Sequence, residues 1–217
     1  MSKEKPFKGP FQKHEVEDYE RKRYRGLDQK LVDSREKRIL RKILDKIGND
    51  SARVLDLPSG YGRFSNLLLE RRFTLASSDL SFHMVKRTIE KSKLCGLHSG
   101  VVADAKKGLP FKNHAFTILL SMRLFHHVQR REEREFILNE FSGVSAEWVI
   151  LSYYQKTLFH ILQRKLRRKV KKTKTRISMI SGKEFKEEVR RAGLKVVKIF
   201  PIFRVIHAHN IALLKKG

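Results

Sequence analysis

The chain has 217 residues, 40% of them hydrophobic, and a net charge of +26. This length is sufficient for one domain with a substantial core. No run of about 18 apolar residues occurs, so we expect neither a membrane span nor, from the lysine-rich start, a signal peptide. The single cysteine, Cys95, excludes an intrachain disulfide and a cysteine-based zinc cluster, as is typical of a cytoplasmic protein.

The first fifty residues lie before the first predicted strand and contain no strand-like pattern. Residues 1–15 are polar and contain prolines and a glycine, which indicates a flexible basic tail. Residues 16–50 have helical spacing of apolar side chains and predict an N-terminal helical segment of two helices, which ends near Gly48.

From residue 53 onwards, strand and helix patterns alternate. Ser81 and Ser181 are predicted N-caps of two of the helices. The predicted strands are 53–57, 73–79, 101–104, 117–121, 148–153, 195–200 and 209–214, and the predicted helices are 64–72, 82–94, 132–141 and 182–192. This order predicts an α/β fold with a mostly parallel sheet that is covered by helices on both faces.

A glycine-rich turn joins the first predicted strand to its helix. Pro58, Ser59 and Gly60 interrupt the apolar run, and Gly62 follows. Glycine has no Cβ and tolerates positive φ, so a ligand can approach the backbone there, close to the free N–H groups of the next helix. Such a turn alone is a weak signal, because many α/β proteins carry one for tight turning only.

Three aspartates lie at or close to the carboxyl ends of predicted strands, where open α/β sheets bind ligands. They are Asp56, Asp79 and Asp104. Asp79 follows Gly60 by about twenty residues, the spacing at which an acid reaches the ribose hydroxyls of a bound adenosine. Asp104 could accept a hydrogen bond from the adenine amine. The alternative is that each aspartate only caps a helix or closes a turn.

Four motifs follow one another between residues 53 and 128. They are Val54-Leu55-Asp56 with Gly60 and Gly62, Asp79-Leu80-Ser81-Phe82-His83-Met84, Ala103-Asp104-Ala105 with Leu109-Pro110-Phe111, and Leu124-Phe125-His126-His127. In this order they resemble the class I S-adenosylmethionine-dependent methyltransferases, in particular the broad quinone-biosynthesis-like group (methyltransferase type 11). The resemblance implies a Rossmann-like, seven-stranded and mostly parallel sheet with a C-terminal antiparallel strand, over residues 51–217, and a cofactor site covered by residues 16–50.

The resemblance also implies S-adenosylmethionine as cofactor and assigns residues to it. Asp56 would orient the glycine turn, Asp79 would bind the ribose hydroxyls, and Leu80 would pack on the adenine. Pro58 departs from the family pattern, which usually has a glycine there, and its fixed φ stiffens the turn. The implied cofactor-binding residues are Asp56, Pro58, Ser59, Gly60, Gly62, Asp79, Leu80, Met84, Asp104 and Ala105.

Candidate acceptor-side residues follow the fourth and fifth strands. A neutral imidazole of His126 or His127 could take a proton from the acceptor, or both rings could simply pack. Arg123 could contact an anionic substrate or form a surface ion pair. Tyr153 and Tyr154 could border the acceptor pocket or pack in the core. Arg176 is a further candidate substrate contact, and we expect no metal.

The positive charge is concentrated in the last third of the chain. Residues 151–217 contain 19 basic and only three acidic side chains, and nine of the basic ones fall within 164–176. Apolar residues recur every four positions beside them, so 157–176 predicts a basic amphipathic insertion. Such a helix suits an anionic membrane surface or a phosphate backbone, or it could cover the acceptor site with a solvated face.

These patterns leave three hypotheses open. The first is a methyltransferase acting on a small, amphiphilic or anionic acceptor, lipid-like or membrane-associated, from the cytoplasm or the inner face of a membrane. The second is an RNA methyltransferase that binds phosphates with the basic C-terminal third; the absence of aromatic residues from 163–176 disfavours base stacking there. The third is a binding protein that keeps the fold without turnover.

Overall fold

The structure is a computed structural model and describes residues 11–22, 26–48, 51–92, 97–156, 178–203 and 208–217. The predicted basic insertion at 157–176, with Arg176, lies outside the described residues, as does Cys95.

Seven strands form one sheet in the order β3-β2-β1-β4-β5-β7-β6. Their bounds are β1 Arg53–Asp56, β2 Thr74–Asp79, β3 His98–Val102, β4 Phe116–Ser121, β5 Ser145–Tyr154, β6 Leu194–Pro201 and β7 His209–Lys216. The pairings from β3 to β5 are all parallel, whereas β7 runs antiparallel to both β5 and β6. This arrangement confirms the predicted α/β fold, and the strand that reverses direction is the last one.

The helices lie on both faces of this sheet. They are α1 Lys13–Lys22, α2 Leu27–Ile47, α3 Ser65–Leu69, α4 Phe82–Glu90, α5 Arg131–Val144 and α6 Gly182–Arg191, with a 3-10 helix at Phe125–His127. The two predicted caps are confirmed, because the Ser81 hydroxyl accepts a hydrogen bond from the Met84 N–H and the Ser181 hydroxyl accepts one from the Glu184 N–H. No helix among the described residues is long and apolar enough to cross a membrane.

The N-terminal boundary differs from the prediction. Helix α1 begins at Lys13, within the segment that we predicted as a tail. The Gln12 N–H donates to the Glu15 carboxylate at 3.0 Å, Val16 is buried, and the Phe11 ring packs on Tyr19 with ring centroids 5.2 Å apart. The burial of Val16 depends on tertiary packing, and the start of the helix depends on the single carboxylate of Glu15. The polar composition of residues 1–15 therefore did not predict a helix there.

The core consists of two apolar layers, one on each side of the sheet. The side chains of consecutive β1 residues enter opposite layers. Leu55 packs in the layer of α5 and α6, and Val54 packs in the layer of α2 and α3. Helix α2 contributes Leu40 and Ile43, both fully buried. Helix α2 therefore lies on the same face of the sheet as α3, the helix that follows the glycine turn.

Candidate functional site

The glycine turn between β1 and α3 is fixed by hydrogen bonds to β2 and α4. The Ser59 N–H donates to the Ser78 carbonyl at 2.8 Å, and the Thr88 hydroxyl donates to the Gly60 carbonyl at 2.7 Å. Gly60 and Gly62 have φ values of +56° and +79°. A Cβ on Gly62 would lie 3.1 Å from the Thr88 Cα, whereas a Cβ on Gly60 would meet nothing within 4 Å. The turn thus packs tightly against α4 at Gly62 and faces open space at Gly60.

Asp79, the last residue of β2, is bonded to this turn. One carboxylate oxygen accepts the Gly60 N–H and the other accepts the Ser81 N–H, each at 3.0 Å. Burial raises the pKa of Asp79, and the backbone N–H groups that it accepts oppose this rise. Each carboxylate oxygen can accept a further hydrogen bond, so Asp79 can still bind a pair of hydroxyls.

Asp56 ends β1 and is fully buried. Neither of its carboxyl oxygens has a hydrogen-bond partner among the described residues. Burial raises the pKa of Asp56 to about 8, while the positive charge of Arg63 acts in the opposite direction. Three further buried hydroxyls at the same edge of the sheet also lack described partners, namely Ser59, Ser78 and Ser121. Buried polar groups are rarely left without partners, so this cluster fits a polar ligand.

The Asp56 carboxyl should make stability depend on pH. Between its unfolded pKa of 3.8 and about 8 the folded protein keeps a proton that the unfolded chain releases, so stability falls as pH rises through this window. We expect the thermal midpoint of Asp56→Asn to fall less between pH 6 and pH 9 than that of the wild type. Differential scanning fluorimetry checks this, with Asp45→Asn, an exposed aspartate, as the control. Parallel curves for Asp56→Asn and wild type would contradict the assignment.

The loop after β3 lies beside Asp79, because the Ala103 N–H donates to the Asp79 carbonyl at 3.1 Å. Asp104 is partly exposed and follows β3 by two residues. Its carboxylate accepts the Lys106 N–H at 3.0 Å, so it also closes its own turn. Ala105 is buried. The structure therefore brings this loop next to Asp79 and the glycine turn.

The remaining candidates flank this cradle. Met84, in the first turn of α4, is buried, and Leu80 is half-buried directly after Asp79. Pro58 is half-buried and follows a cis peptide bond with Leu57. All ten sequence-predicted cofactor residues thus belong to the loops after β1, β2 and β3 or to the strand ends and helix that adjoin them.

A second group of side chains lies after β4 and β5. The His126 ring packs on Tyr154 with centroids 5.3 Å apart, and Tyr154 stacks on His209 at 4.8 Å with the planes 5° apart. We call His126, Tyr154 and His209 the aromatic cluster. The His127 ring packs on the His126 ring with centroids 3.9 Å apart, and His127 is exposed. Sequence patterns do not reveal His209, because its role depends on the antiparallel register that pairs it with Tyr154.

Tyr153 does not join the aromatic cluster. It is fully buried and stacks on Phe185 with centroids 3.9 Å apart, and its hydroxyl donates to the Gln155 side chain at 3.4 Å. Burial raises the pKa of Tyr153 to about 12. Neighbouring strand residues point to opposite faces, so Tyr153 and Tyr154 cannot both border one pocket. The core-packing alternative is the correct one for Tyr153.

Arg123 forms an internal ion pair rather than a surface one. Its Nη2 and Nε donate to one oxygen of Glu36 at 2.8 Å and 3.1 Å. Arg63 of the glycine turn donates to the other oxygen, and the His209 Nδ1 lies 3.4 Å from Glu36. Sequence reasoning missed Glu36, which is fully buried. The available signal was an acid on the apolar face of α2, one turn before Leu40.

Comparison with known proteins gives a family match. Residues 55–147 match the methyltransferase domain family model. No curated protein matches the chain. Among solved structures, magnesium protoporphyrin IX methyltransferase from Synechocystis PCC 6803, with bound S-adenosylhomocysteine, superposes with a TM-score of 0.77 at 17% identity, over 92% of this chain and 94% of that one. An S-adenosylmethionine-dependent methyltransferase from Methanosarcina mazei gives 0.66 at 14% identity, over 80% and 96%.

A TehB-like methyltransferase from Corynebacterium glutamicum gives a TM-score of 0.64 at 15% identity, over 93% of this chain and 98% of that one. At these identities the likeness establishes the fold alone, and the family match identifies residues 55–147 as a methyltransferase domain.

The cradle fits the cofactor of this family. Open space faces Gly60, Asp79 retains acceptor capacity for two hydroxyls, and the unpartnered Asp56 and serine side chains provide polar contacts. Within the described ranges, no cluster of three or more His, Cys, Asp or Glu side chains could hold a metal ion. Residues 55–147 are therefore a methyltransferase domain, the chain has the fold of the class I S-adenosylmethionine-dependent methyltransferases, and S-adenosylmethionine is the cofactor that this family uses.

Proposed function

We propose that the chain transfers a methyl group from S-adenosylmethionine to a small acceptor that is amphiphilic or anionic. The observation that carries this proposal is the position of the residues that flank the most basic stretch of the sequence. The described residues on either side of it meet at the aromatic cluster: the Ser178 N–H donates to the His126 carbonyl at 2.9 Å, and the Ile180 N–H donates to the Tyr154 carbonyl at 2.9 Å. The described residues that flank 157–177, a stretch with nine basic side chains, therefore lie beside the cluster.

The cofactor residues that we propose are those of the cradle. Asp79 would accept the ribose hydroxyls, the backbone at Gly60 and Gly62 would approach the cofactor closely, and the loop of Asp104 and Ala105 would meet the adenine edge. The bound cofactor would supply a methyl group already activated by a sulfonium. The full proposed set is Asp56, Pro58, Ser59, Gly60, Gly62, Asp79, Leu80, Met84, Asp104 and Ala105.

We also propose that the N-terminal helices cover the cofactor. Two contacts, one of α1 and one of the residue Phe11 just before it, support this role. The Ser81 hydroxyl, next to Asp79, donates to the Phe11 carbonyl at 2.6 Å, and the Tyr19 ring meets the Tyr61 ring of the glycine turn edge-on at 6.1 Å. Glu20 adds an ion pair with Arg87 of α4 at 2.8 Å.

The catalytic demand on the protein is mainly alignment. Proximity and orientation can contribute about 7–11 kcal/mol to such a transfer. The aromatic cluster stands at the same edge of the sheet as the cradle, because β4, which leads to His126, pairs directly with β1, which ends at Asp56. We propose that His126 or the exposed His127 accepts a proton where the acceptor is a hydroxyl or an amine. Tyr154 would contact the apolar part of the acceptor.

The second candidate is an RNA methyltransferase. The net charge of +26, with 19 basic against three acidic residues in 151–217, favours it. Basic side chains that contact RNA phosphates release the counterions bound to the RNA, and this release favours binding. The two candidates differ in salt dependence. Affinity for RNA should fall by orders of magnitude between 50 mM and 200 mM salt, whereas the transfer to a small acceptor should respond weakly.

One experiment separates these candidates. The full chain is incubated with S-adenosylmethionine labelled in its methyl group and with cell extract that has been fractionated into lipids, small molecules, RNA and protein. We expect label in the lipid or small-molecule fraction, and much less of it with Asp79→Asn when the labelled cofactor is not saturating. Label in RNA alone would overturn the proposal in favour of the second candidate. Absence of label from every fraction would overturn both and leave a cofactor-binding protein without turnover.

A further inference from the structure

We infer that Glu36 is a positioning residue that holds the cofactor turn and the acceptor loop in a fixed relation to each other. The inference rests on the proposed function, because it concerns the same two parts of the site. Glu36 lies on α2, outside the loops that form the cradle and outside the aromatic cluster.

Glu36 serves the two sides of the site with different oxygens. One oxygen accepts both the Nε and the Nη2 of Arg123, which precedes the 3-10 helix of His126. The other accepts the Nη1 of Arg63, which belongs to the glycine turn. A single buried carboxylate thus links the loop after β1 to the loop after β4. A shift of either arginine would have to break a charge-assisted hydrogen bond in a fully buried setting.

Arg63 connects Glu36 to the cofactor side. Its guanidinium stacks 4.1 Å above the ring of Phe64 and also pairs with Asp33 at 3.2 Å, and its side chain is only 10% exposed. Arg63 is the positive charge that opposes the burial of Asp56. By holding Arg63 in place, Glu36 therefore fixes the distance between this positive charge and the Asp56 carboxyl at the end of β1.

Arg123 connects Glu36 to the acceptor side. Its backbone has a φ of +66°, a left-handed conformation that is strained for a non-glycine residue and persists only where surrounding contacts impose it. Two such contacts are visible: the ion pair with Glu36 and the bond from the Arg123 N–H to the Ser152 hydroxyl of β5 at 2.7 Å. The conformation of the loop that leads to His126 thus depends on Glu36.

A purely structural role for Glu36 predicts a different result, and the chain offers a matched control. Glu188 of α6 is also fully buried and also holds an arginine, Arg134 of α5, through both of its oxygens. This second pair lies between α5 and α6, on the opposite face of the sheet from α2, and it contacts the acceptor side only where the Arg134 Nη1 donates to the Gln129 carbonyl at 3.1 Å, after the 3-10 helix. Removal of either carboxylate charge should destabilise the fold, but only Glu36→Gln should affect the site.

The test compares Glu36→Gln with Glu188→Gln at a temperature where circular dichroism shows both to be folded. Calorimetry with S-adenosylmethionine should give about tenfold weaker binding for Glu36→Gln and a change within twofold for Glu188→Gln. At saturating S-adenosylmethionine, the rate of labelled methyl transfer to the extract fraction that the wild type labels should fall at least tenfold for Glu36→Gln only. Equal binding and equal rates in the two variants would overturn the inference.

Two further arms keep the outcomes distinct. If Glu36→Gln does not fold, Arg123→Lys replaces it, with Arg134→Lys as its control: lysine keeps the charge but cannot reproduce the two bonds that Arg123 makes to one oxygen. The rate should again fall at least tenfold for the Arg123 variant alone, and equal rates would again overturn the inference. A wild type that labels no fraction would count against the proposed function, whereas the calorimetric comparison would still decide the role of Glu36 toward the cofactor.

Discussion

Replacement of Asp79 by asparagine should weaken the binding of S-adenosylmethionine about 100-fold. The Asp79 carboxylate is already bonded to the N–H groups of Gly60 and Ser81, so its position is fixed before the ligand arrives. A hydrogen bond to a charged group contributes about 1.5–3 kcal/mol, and two ribose hydroxyls could each donate one. Asparagine keeps the shape but has a single acceptor oxygen. Isothermal titration calorimetry with the full chain measures the change.

The matched control for this variant is Asp45→Asn. Asp45 lies on α2, is largely exposed and pairs with Arg71 on the surface, so its loss should leave the affinity unchanged. Wild-type affinity in Asp79→Asn, with a folded circular dichroism spectrum, would show that the cradle does not bind the ribose through this carboxylate.

Replacement of Arg134 by methionine should give the largest loss of stability, about 3–5 kcal/mol. The guanidinium is buried and donates to both oxygens of Glu188 at 3.0 Å and 2.6 Å, and to Glu184 at 3.0 Å. Methionine fills much of the space but leaves the Glu188 charge buried without its partner. At this chain length the thermal midpoint should fall by roughly 10 °C. Urea unfolding monitored by circular dichroism gives the free energy of unfolding.

A double variant separates the lost charge pairing from lost packing. Arg134→Met combined with Glu188→Gln removes the uncompensated charge and should recover more than half of the lost stability, because the two sites are in direct contact and are not additive. If the two single losses simply add, the destabilisation would come from packing instead of the unpaired carboxylate.

Features that depend on neighbouring residues were predictable from the sequence. The glycine turn, the caps at Ser81 and Ser181 and the order of strands and helices along the chain all follow from spacings of a few residues, and the structure confirms them. Asp79 was identified because the length of one helix–strand unit sets its distance from Gly60. The bond between Asp79 and the Gly60 N–H is the physical outcome of that spacing.

Features that depend on register or on distant partners were not predictable. Tyr153 and Tyr154 are adjacent residues of the same type, so the sequence does not distinguish them. The pairing of β5 with β7 decides which one contacts His209. Glu36 pairs with Arg63 and Arg123, which are 27 and 87 residues away, so no local pattern could join them. An acid on the apolar face of a helix can indicate a buried partner, but it does not identify that partner.

Photo-cross-linking locates the cofactor site most directly. Labelled S-adenosylmethionine is irradiated with the full chain, and the labelled peptides are identified by mass spectrometry, with excess unlabelled cofactor as competitor. We expect competable label within residues 53–64, 74–84 and 101–106, the loops after β1, β2 and β3. Competable label confined to other parts of the chain, or no competable label at all, would contradict a cofactor site built on Asp79 and the glycine turn.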